Sequence, residues 1–433
     1  MPFERALRAV YSAGMSAAQP LLRRKLRKRG DAEPGYLEAV EERFGRYADT
    51  TAPAAGTPVW IHAVSLGETR AAAVLVAALR ERLPGMRLLL THGTATGRAE
   101  GRRLLLPGDV QAWLPWDVPG AVARFLAHFR PAAGLLMETE VWPNLVAGCR
   151  AAGVPLVLAN ARLSDKSLNS AERLGPLARG AFEGLSAVWA QSPDDASRLR
   201  RLGAPVGGVF GNLKFDMAPD AAQLSAGRLW RRVSGRPVLL LASSREGEEQ
   251  RWLDAIRSVP QEVLHEVQWL LVPRHPQRFD EVAALLAAGG LSVSRRSGWT
   301  ATGPEDAPPA ADVWLGDSLG EMALYYGLAD TALLGGSFAD TGGQNLIEAA
   351  ACGCPVVMGP STFNFAEAAL LAEAAHAAIR VADMPAAIEA GTALVTDPAR
   401  LGITRGAALA FAASHRGAAA RTADALCGLL AAR

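Results

Sequence analysis

The chain reads as an α/β protein built on two parallel sheets, and three observations carry that reading. Short, almost wholly apolar runs alternate with segments of helical periodicity. The runs lack the polar alternation of a half-exposed strand, as expected where both faces of a sheet are covered. The 433 residues hold two such series in succession, and a chain of that length suits two domains.

In the first series the expected strands are 58–64, 87–91, 111–114, 134–137, 155–160 and 187–190. In the second they are 237–242, 268–273, 292–294, 312–316, 331–334 and 355–358. Pro58, Pro155, Pro237 and Pro355 open four of these runs, a position where a missing N–H is tolerated. Helical patterns over 70–83, 194–202 and 277–288 fill three of the gaps. After Phe215-Asp216-Met217 the pattern loosens through Pro219, Asp220 and Gln223, which places a boundary between residues 217 and 235. The Gly-, Pro- and Ala-rich stretch 298–311 reads as a surface excursion. The alanine-rich tail 405–433 reads as helix, and no repeat of solenoid length occurs.

Half the residues are hydrophobic, enough for large cores, and a net charge of +2 is too balanced for a general nucleic-acid binder. Cys352-Gly-Cys354 is too tight for a zinc pair, and Cys149 and Cys427 add no ligand spacing. All four cysteines read as buried free thiols in a reducing compartment.

The first 30 residues differ from the rest. Phe3, Leu7, Val10, Tyr11, Met15 and Ala18 fall on one helical face, Pro20 interrupts, and Arg23, Arg24, Lys25, Arg27, Lys28 and Arg29 follow. No run is long enough to span a bilayer, and Arg5 and Arg8 break any signal-peptide core. Two readings fit this pattern. One is an in-plane helix on an anionic leaflet. The other is a helix packed on the protein's own surface, followed by a solvated charge run.

Chemistry concentrates where strands end. Thr331-Ala-Leu-Leu334 runs into Gly335-Gly336, a second pair at Gly342-Gly343, and a helix entered through Gln344-Asn345. Glycines let backbone N–H groups approach a ligand, and a helix start favours anions. Glu348 lies one turn into that helix. Glu68, in His62-Ala-Val-Ser65-Leu-Gly67-Glu68, follows the first strand and reads either as a carboxylate base for a hydroxyl nucleophile or as a helix N-terminal carboxylate. Glu138 and Glu140, in Met137-Glu-Thr-Glu-Val-Trp142-Pro143-Asn144, are spaced to share a face in an extended segment, a crowding that needs a cation or hydrogen bonds to offset it. Arg162, in Asn160-Ala-Arg-Leu-Ser164, reads as a phosphate or carboxylate contact or as a structural salt bridge. Lys214, in Gly211-Asn-Leu-Lys-Phe-Asp216, reads as a charge offset for a leaving phosphate or as a solvated lysine. Pro273-Arg274-His275-Pro276 offers a guanidinium fork for phosphate.

Together and in this order, these segments resemble the 3-deoxy-D-manno-octulosonic acid (Kdo) transferases, which add Kdo to lipid A. The resemblance spans about residues 36 to 370. It implies the GT-B glycosyltransferase architecture, two Rossmann-like domains with parallel sheets facing an interdomain cleft. The implied divisions are a membrane-associating segment at 1–30, an acceptor-binding domain at 31–218, a donor-binding domain at 236–405, and a C-terminal helix at 406–433 that crosses back. It implies Glu68 as general base, with Glu138 and Lys214 supporting the transition state. The implied donor contacts are Pro273, Arg274 and His275; Leu319, Gly320 and Glu321 within Gly316-Asp-Ser-Leu-Gly-Glu-Met322; and Asn345, Leu346, Ile347 and Glu348. Ser65, Gly67, Arg162, Ser243 and Ser244 are further implied substrate contacts, the last two in Ser243-Ser-Arg-Glu-Gly-Glu-Glu249. Gln344 departs from the histidine common beside that asparagine. The implied reaction is inverting transfer of Kdo from CMP-Kdo to a lipid A precursor, without metal or cofactor, at the cytoplasmic side of the inner membrane and without nucleic acid as a partner.

Overall fold

The computed structural model describes residues 2–48, 58–300, 303–304 and 311–432; the side chains of Pro2 and Phe3 lie outside that description. The chain divides into two units, Met1–Asp216 with Arg416–Arg433, and Met217–His415.

The first unit contains β1 (Pro58–His62), β2 (Arg87–His92), β3 (Val110–Trp113), β4 (Ala133–Met137), β5 (Leu156–Ala161), β6 (Ala187–Ala190) and β7 (Val206–Val209). These pair in the order β3-β2-β1-β4-β5-β6-β7, every neighbour parallel. Alternate side chains of one strand enter opposite cores. Val59 and Ile61 join Leu75 and Leu79 of the helix Leu66–Arg82, while Trp60 joins Phe125 and Leu158 on the other face.

The second unit contains β8 (Val238–Ser244), β9 (Gln268–Pro273), β10 (Val293–Arg295), β11 (Val313–Leu315), β12 (Thr331–Leu334), β13 (Val356–Met358) and β14 (Ala378–Arg380). Their order is β10-β11-β9-β8-β12-β13-β14, again all parallel. Both sheets are doubly wound, and each reverses its strand order at its centre, between β1 and β4 and between β8 and β12; in the second, β10 and β11 are also interchanged at the edge. Ligands bind at such reversals, beyond the carboxyl ends of the strands.

Several sequence expectations are corrected. Two strands were not foreseen, β7 and β14, which lie at sheet edges. One reads Val-Gly-Gly-Val and the other is three residues long, so neither gives a strong apolar run. The loosened stretch after Asp216 holds a helix, Ala221–Val233, capped by Asp220. It packs on the helix Met322–Leu328, where a side chain at Gly227 would strike the Leu324 carbonyl. Within the supposed excursion at 298–311, Trp299, Gly303 and Pro304 are buried, and Gly303 lies against Trp230; residues 301–302 and 305–310 lie outside the described residues. The tail is two helices, Pro398–Ser414 and Ala418–Ala431, separated at Gly417 with φ +99°.

The amino-terminal pattern gives helices Pro2–Ala17 and Gln19–Ala32. The first packs on the helices Pro143–Ala151 and Pro176–Glu183. Ser12 donates to Asn144 Oδ1 at 2.9 Å, and Tyr11 bonds Asp117. The apolar face is therefore partly spent on the protein itself: Leu7, Tyr11, Met15 and Ala18 are half-buried, while Val10 is 72% exposed. Of the basic cluster, Arg23 pairs with Glu41 at 2.6 Å over the Phe44 ring, and Arg24, Lys25, Arg27 and Lys28 are exposed.

The last helix returns to the first unit. Ala418, Ala419, Ala423 and Leu426 join the core around Leu75. Asp216 accepts the N–H groups of Gly417 and Ala419 and so fastens the start of that helix. We expect Asp216→Ala to cost the first unit about 1–2 kcal/mol, read as an earlier denaturant midpoint together with faster proteolysis after Ser414.

Candidate active site

The reversal between β1 and β4 sets two carboxylates on neighbouring loops. β1 and β4 run side by side, His62 opposite Leu136. Ser65 caps the helix Leu66–Arg82, and Glu68 stands three residues into it. The Glu68 carboxylate turns back on the cap, accepting the Val64 N–H at 2.9 Å and the Ser65 hydroxyl at 3.0 Å, while Ser65 Oγ accepts the Glu68 N–H at 3.3 Å. This reciprocal arrangement is a variant of the capping box in which the carboxylate takes the N–H of the residue before the cap. The helix-terminal reading of Glu68 is thus realised, and it does not use up the group: each oxygen keeps a lone pair. Burial pushes the Glu68 carboxyl up to about 7; the Val64 N–H and the Ser65 hydroxyl pull it back, and the charges of Glu138 and Glu140 add to the rise. Gly67 is exposed on the same turn.

Glu138 has φ +59°, a left-handed conformation that turns the chain straight after β4. Its side chain is buried and meets two cations, Arg162 Nε at 2.9 Å and Lys214 Nζ at 3.7 Å. Glu140 accepts from the Trp142 indole at 2.8 Å. The extended pair expected from spacing is therefore not present. The turn at Glu138 breaks the shared face, and each carboxylate has its own partner. Arg162 adopts the salt-bridge reading, although about half of its side chain stays exposed.

Lys214 is placed by a buried asparagine. Asn160, φ +52°, accepts the Leu213 N–H at 3.0 Å through Oδ1, and Asn212 Oδ1 accepts the Lys214 N–H at 3.0 Å.

In the second unit, β8 and β12 flank the other reversal, Ala242 opposite Leu334. The two strand ends approach so closely that a Cβ at Gly335 would lie 2.4 Å from the Ser243 carbonyl. The glycine requirement there is one of space. The diverging loops are tied by Glu248, which is fully buried at the start of the helix Glu248–Arg257. Its carboxylate accepts four backbone N–H groups: Arg245 at 2.8 Å, Gly336 at 2.7 Å, Phe338 at 3.0 Å and Ala339 at 3.1 Å. Burial pushes this carboxyl up and the four donors pull it back.

The expected donor residues surround this crevice, with unequal freedom. Arg274 is exposed beyond β9, its N–H on the Ser244 carbonyl. His275 Nε2 accepts from Arg245 Nη1 at 2.7 Å, which leaves its ring proton on Nδ1. Burial and then Arg245, Arg274 and Arg278 hold its pKa below the usual value. Ser244 is not open to a ligand: its hydroxyl donates to buried Glu249 at 2.7 Å, and Glu249 pairs with Arg278 at 2.7 Å. Ser243 has φ +56° and lies against Met322. Pro273 is buried at the end of β9.

The Leu319-Gly320-Glu321 loop is exposed at Leu319 and left-handed at Gly320. Glu321 is held by Arg296 at 2.9 Å and by Ser318, and Asp317 by Arg295 at 2.7 Å. What that loop offers a ligand is backbone. Asn345 caps the helix Leu346–Ala351 with its Oδ1 on the Ile347 N–H. Leu346 and Ile347 are core side chains, and Glu348 is half-buried. Two residues absent from the sequence-based assignment matter here, Arg245 and Glu248. The signal for Glu248 was an acid straight after a glycine, just beyond the mouth of a strand.

Among the described residues no group of acidic, His or Cys side chains gathers as a metal-ligand set. The first unit thus offers a carboxylate poised near neutrality beside a cation-held second carboxylate. The second unit offers guanidinium and backbone groups for an anion.

Comparison with known proteins gives the same picture. A family model described as 3-deoxy-D-manno-octulosonic-acid transferase (kdotransferase) matches residues 38–217. A Bordetella pertussis protein, "3-deoxy-D-manno-octulosonic acid transferase", is 50% identical over 97% of this chain and 98% of its own. The Haemophilus influenzae protein of that name is 33% identical over 83% and 84%. In fold alone, the chain is similar to Anabaena HepE in complex with UDP-glucose, with 14% identity, 86% and 99% coverage and a TM-score of 0.56. It is equally similar to a UDP-GlcNAc 2-epimerase from Neisseria meningitidis, with 14% identity, 87% and 100% coverage and a TM-score of 0.56. The fold is the GT-B arrangement.

The coupling of the two carboxylates can be read directly. In Glu138→Gln, the Glu68 titration followed by carbon-detected NMR should move down from about 7, because a neighbouring negative charge is removed. An unmoved midpoint would mean that burial alone sets it.

Proposed function

The chain belongs to the Kdo transferase family and is a glycosyltransferase, and from that premise we propose how its residues carry the reaction. The first unit binds the acceptor, a lipid A precursor, and the second binds CMP-Kdo. The observation that carries the assignment is the Glu68 carboxyl at about 7, beside a carboxylate whose charge Arg162 and Lys214 already offset.

Glu68 takes the proton of a primary sugar hydroxyl as that oxygen attacks the anomeric carbon of Kdo. A base with a pKa near the working pH is present in useful amount and still accepts a proton well. The bond from the anomeric carbon to the CMP phosphate oxygen breaks with its electron pair going to CMP, and the anomeric configuration inverts. The charge that collects on the phosphate is met by Arg274 and Arg245, with the Asn345–Glu348 helix start and the Leu319–Glu321 backbone holding the nucleotide. Glu138 and Lys214 keep the field at Glu68 fixed, and Ser65, Gly67, Arg162 and Ser243 border the reacting groups. Pro273 and His275 support Arg274.

Glu68→Gln is the decisive variant, because glutamine preserves a capping box. We expect kcat to fall about 10²- to 10⁴-fold with CMP affinity retained; undiminished transfer would remove Glu68 as the base. In the parent enzyme kcat/KM should rise with pH through about 7, since the ionised form is the active one. Inhibition by CMP but not UMP separates this donor from a UDP-sugar. Mass spectrometry of the product from CMP-Kdo and a tetra-acylated precursor reports the transfer itself.

We further propose that the first two helices lie on the cytoplasmic leaflet of the inner membrane. No helix among the described residues is long and apolar enough to cross a bilayer. Val10 and Leu21 are 72% and 68% exposed beside exposed Arg24, Lys25 and Lys28, a combination suited to an anionic surface. Val10→Glu with Leu21→Glu should leave the fold intact and abolish sedimentation with phosphatidylglycerol vesicles. Unchanged sedimentation would end this reading.

A further inference from the structure

The reaction as proposed leaves one buried polar group beside the base unused. His92, the last residue of β2, has no exposed surface. Two ring nitrogens are costly to bury unless both are bonded, and here both are. Gln111, on the neighbouring strand β3, donates from its amide nitrogen to His92 Nε2 at 3.0 Å and to the Arg98 carbonyl at 2.8 Å. A carbonyl can only accept, so the Arg98 contact fixes which end of the Gln111 amide faces the ring. On the other side, His92 Nδ1 lies 3.0 Å from the Ala63 carbonyl, which also can only accept. Both contacts select the same neutral tautomer, with the proton on Nδ1. Burial first, and the Arg98 charge after it, push the ring down to about 4 against the pull of the Ala63 carbonyl. The other histidine beside it, His62, is pushed down to about 3, first by burial. Neither ring carries charge near pH 7.

What the ring holds is a single peptide unit. Ala63 and Val64 share it, directly after β1. Its carbonyl accepts from His92, and its N–H is the one that donates to Glu68 Oε2 at 2.9 Å. A continuous run of hydrogen bonds thus leads from Gln111 through the imidazole and this peptide to the Glu68 carboxylate. Bonds in such a chain polarise one another, so a donor on the carbonyl makes the N–H of the same peptide a better donor. The next carbonyl is fixed as well: Val64 O accepts the N–H groups of Gly93 and Thr94 at 3.2 and 3.0 Å and the Thr94 hydroxyl at 2.9 Å. Thr69, one residue beyond Glu68, donates to the Ser65 carbonyl at 2.8 Å and stands 3.4 Å from His92 Nδ1. The ring fits because position 101 is glycine, where a Cβ would lie 2.4 Å from His92 Nε2. A histidine that merely filled the core would also need partners, but nothing would direct them to the donor of one carboxylate. The charges that raise Glu68 are those of Glu138 and Glu140, and neither is touched by a change at His92.

We infer that His92, oriented by Gln111, is a positioning residue for the general base: through the Ala63–Val64 peptide it stabilises the ionised Glu68 carboxylate and fixes its direction. This rests on the reading of Glu68 as the base, and the test separates the two. Nitrogen correlation spectra of the full chain should show His92 protonated on Nδ1 and bare on Nε2; a proton on Nε2 would overturn the inference at once. The Glu68 midpoint by carbon-detected NMR and the acid limb of kcat/KM are then measured for His92→Leu, His92→Asn and Gln111→Leu. Leucine at position 92 removes the donor and weakens support for the carboxylate, so both readings should rise by about half a pH unit. Asparagine puts an amide N–H where Nδ1 stood and should return both close to the parent values, although it fills less of the core than leucine. Gln111 is half-buried, and Gln111→Leu covers the case in which His92→Leu does not fold: the ring loses its fixed tautomer, and the midpoint should rise by a smaller amount. An unmoved midpoint in a folded variant, or an asparagine variant displaced as far as the leucine one, would overturn the inference. A midpoint that moves while the acid limb stays in place would keep the relay and overturn Glu68 as the base.

Discussion

The constraint on which everything else depends is the central reversal of strand order in each sheet. A parallel sheet must send every crossover back over one face or the other, and where the direction of winding changes, two neighbouring strands release their loops to opposite sides. β1 with β4, and β8 with β12, are those pairs. The crevices so formed hold Glu68 and Glu138 in one unit, and Ser243, Glu248 and Gly335 in the other. The proposed chemistry falls there because diverging loops leave room that no side chain of the sheet fills.

Each crevice also has to be kept from spreading, and the two units do it with different electrostatics. In the first, Glu138 is fixed by two cations from later loops, the half-exposed Arg162 and the mostly buried Lys214, so that loss of one still leaves the other to offset its buried charge. In the second, Glu248 pairs with no cation among the described residues. Four backbone N–H groups share its charge, and they come from both loops at once. An ion pair leaves its cations with protons to offer a ligand, whereas a carboxylate wrapped in amides is closed. Glu138 can therefore take part in chemistry beside Glu68, while Glu248 is confined to positioning.

Most of the architecture was legible because both faces of the central strands are covered, which makes them short, apolar and bounded by Pro or Gly. The edge strands β7 and β14 escaped because they pair on one side only and need no such run. The helix Ala221–Val233 was hidden by its amphipathic composition after a proline and two acids, although Asp220 was its cap. At the proposed site, family resemblance supplied the candidate residues, but their availability was not legible. Ser244, Leu346 and Ile347 lie in the right segments and are spent on the interior. Spacing alone put Glu138 and Glu140 on one face; a left-handed residue at position 138, which sequence does not announce for glutamate, separated them. Arg162 read as substrate contact or salt bridge with equal ease, and only the position of Glu138 decides between the two.

The fastening of Asp216 to the start of the last helix has a consequence for how the protein is made. Ala418, Ala423 and Leu426 belong to the core of the first unit, yet they leave the ribosome after the whole of the second. The second unit, complete by His415, can close while the first still lacks one of its layers. Translation order and folding order are therefore opposed. The nascent first unit keeps an uncovered strip along the helix Leu66–Arg82 until the helix Ala418–Ala431 has emerged, an interval in which a chaperone has a defined surface to shield.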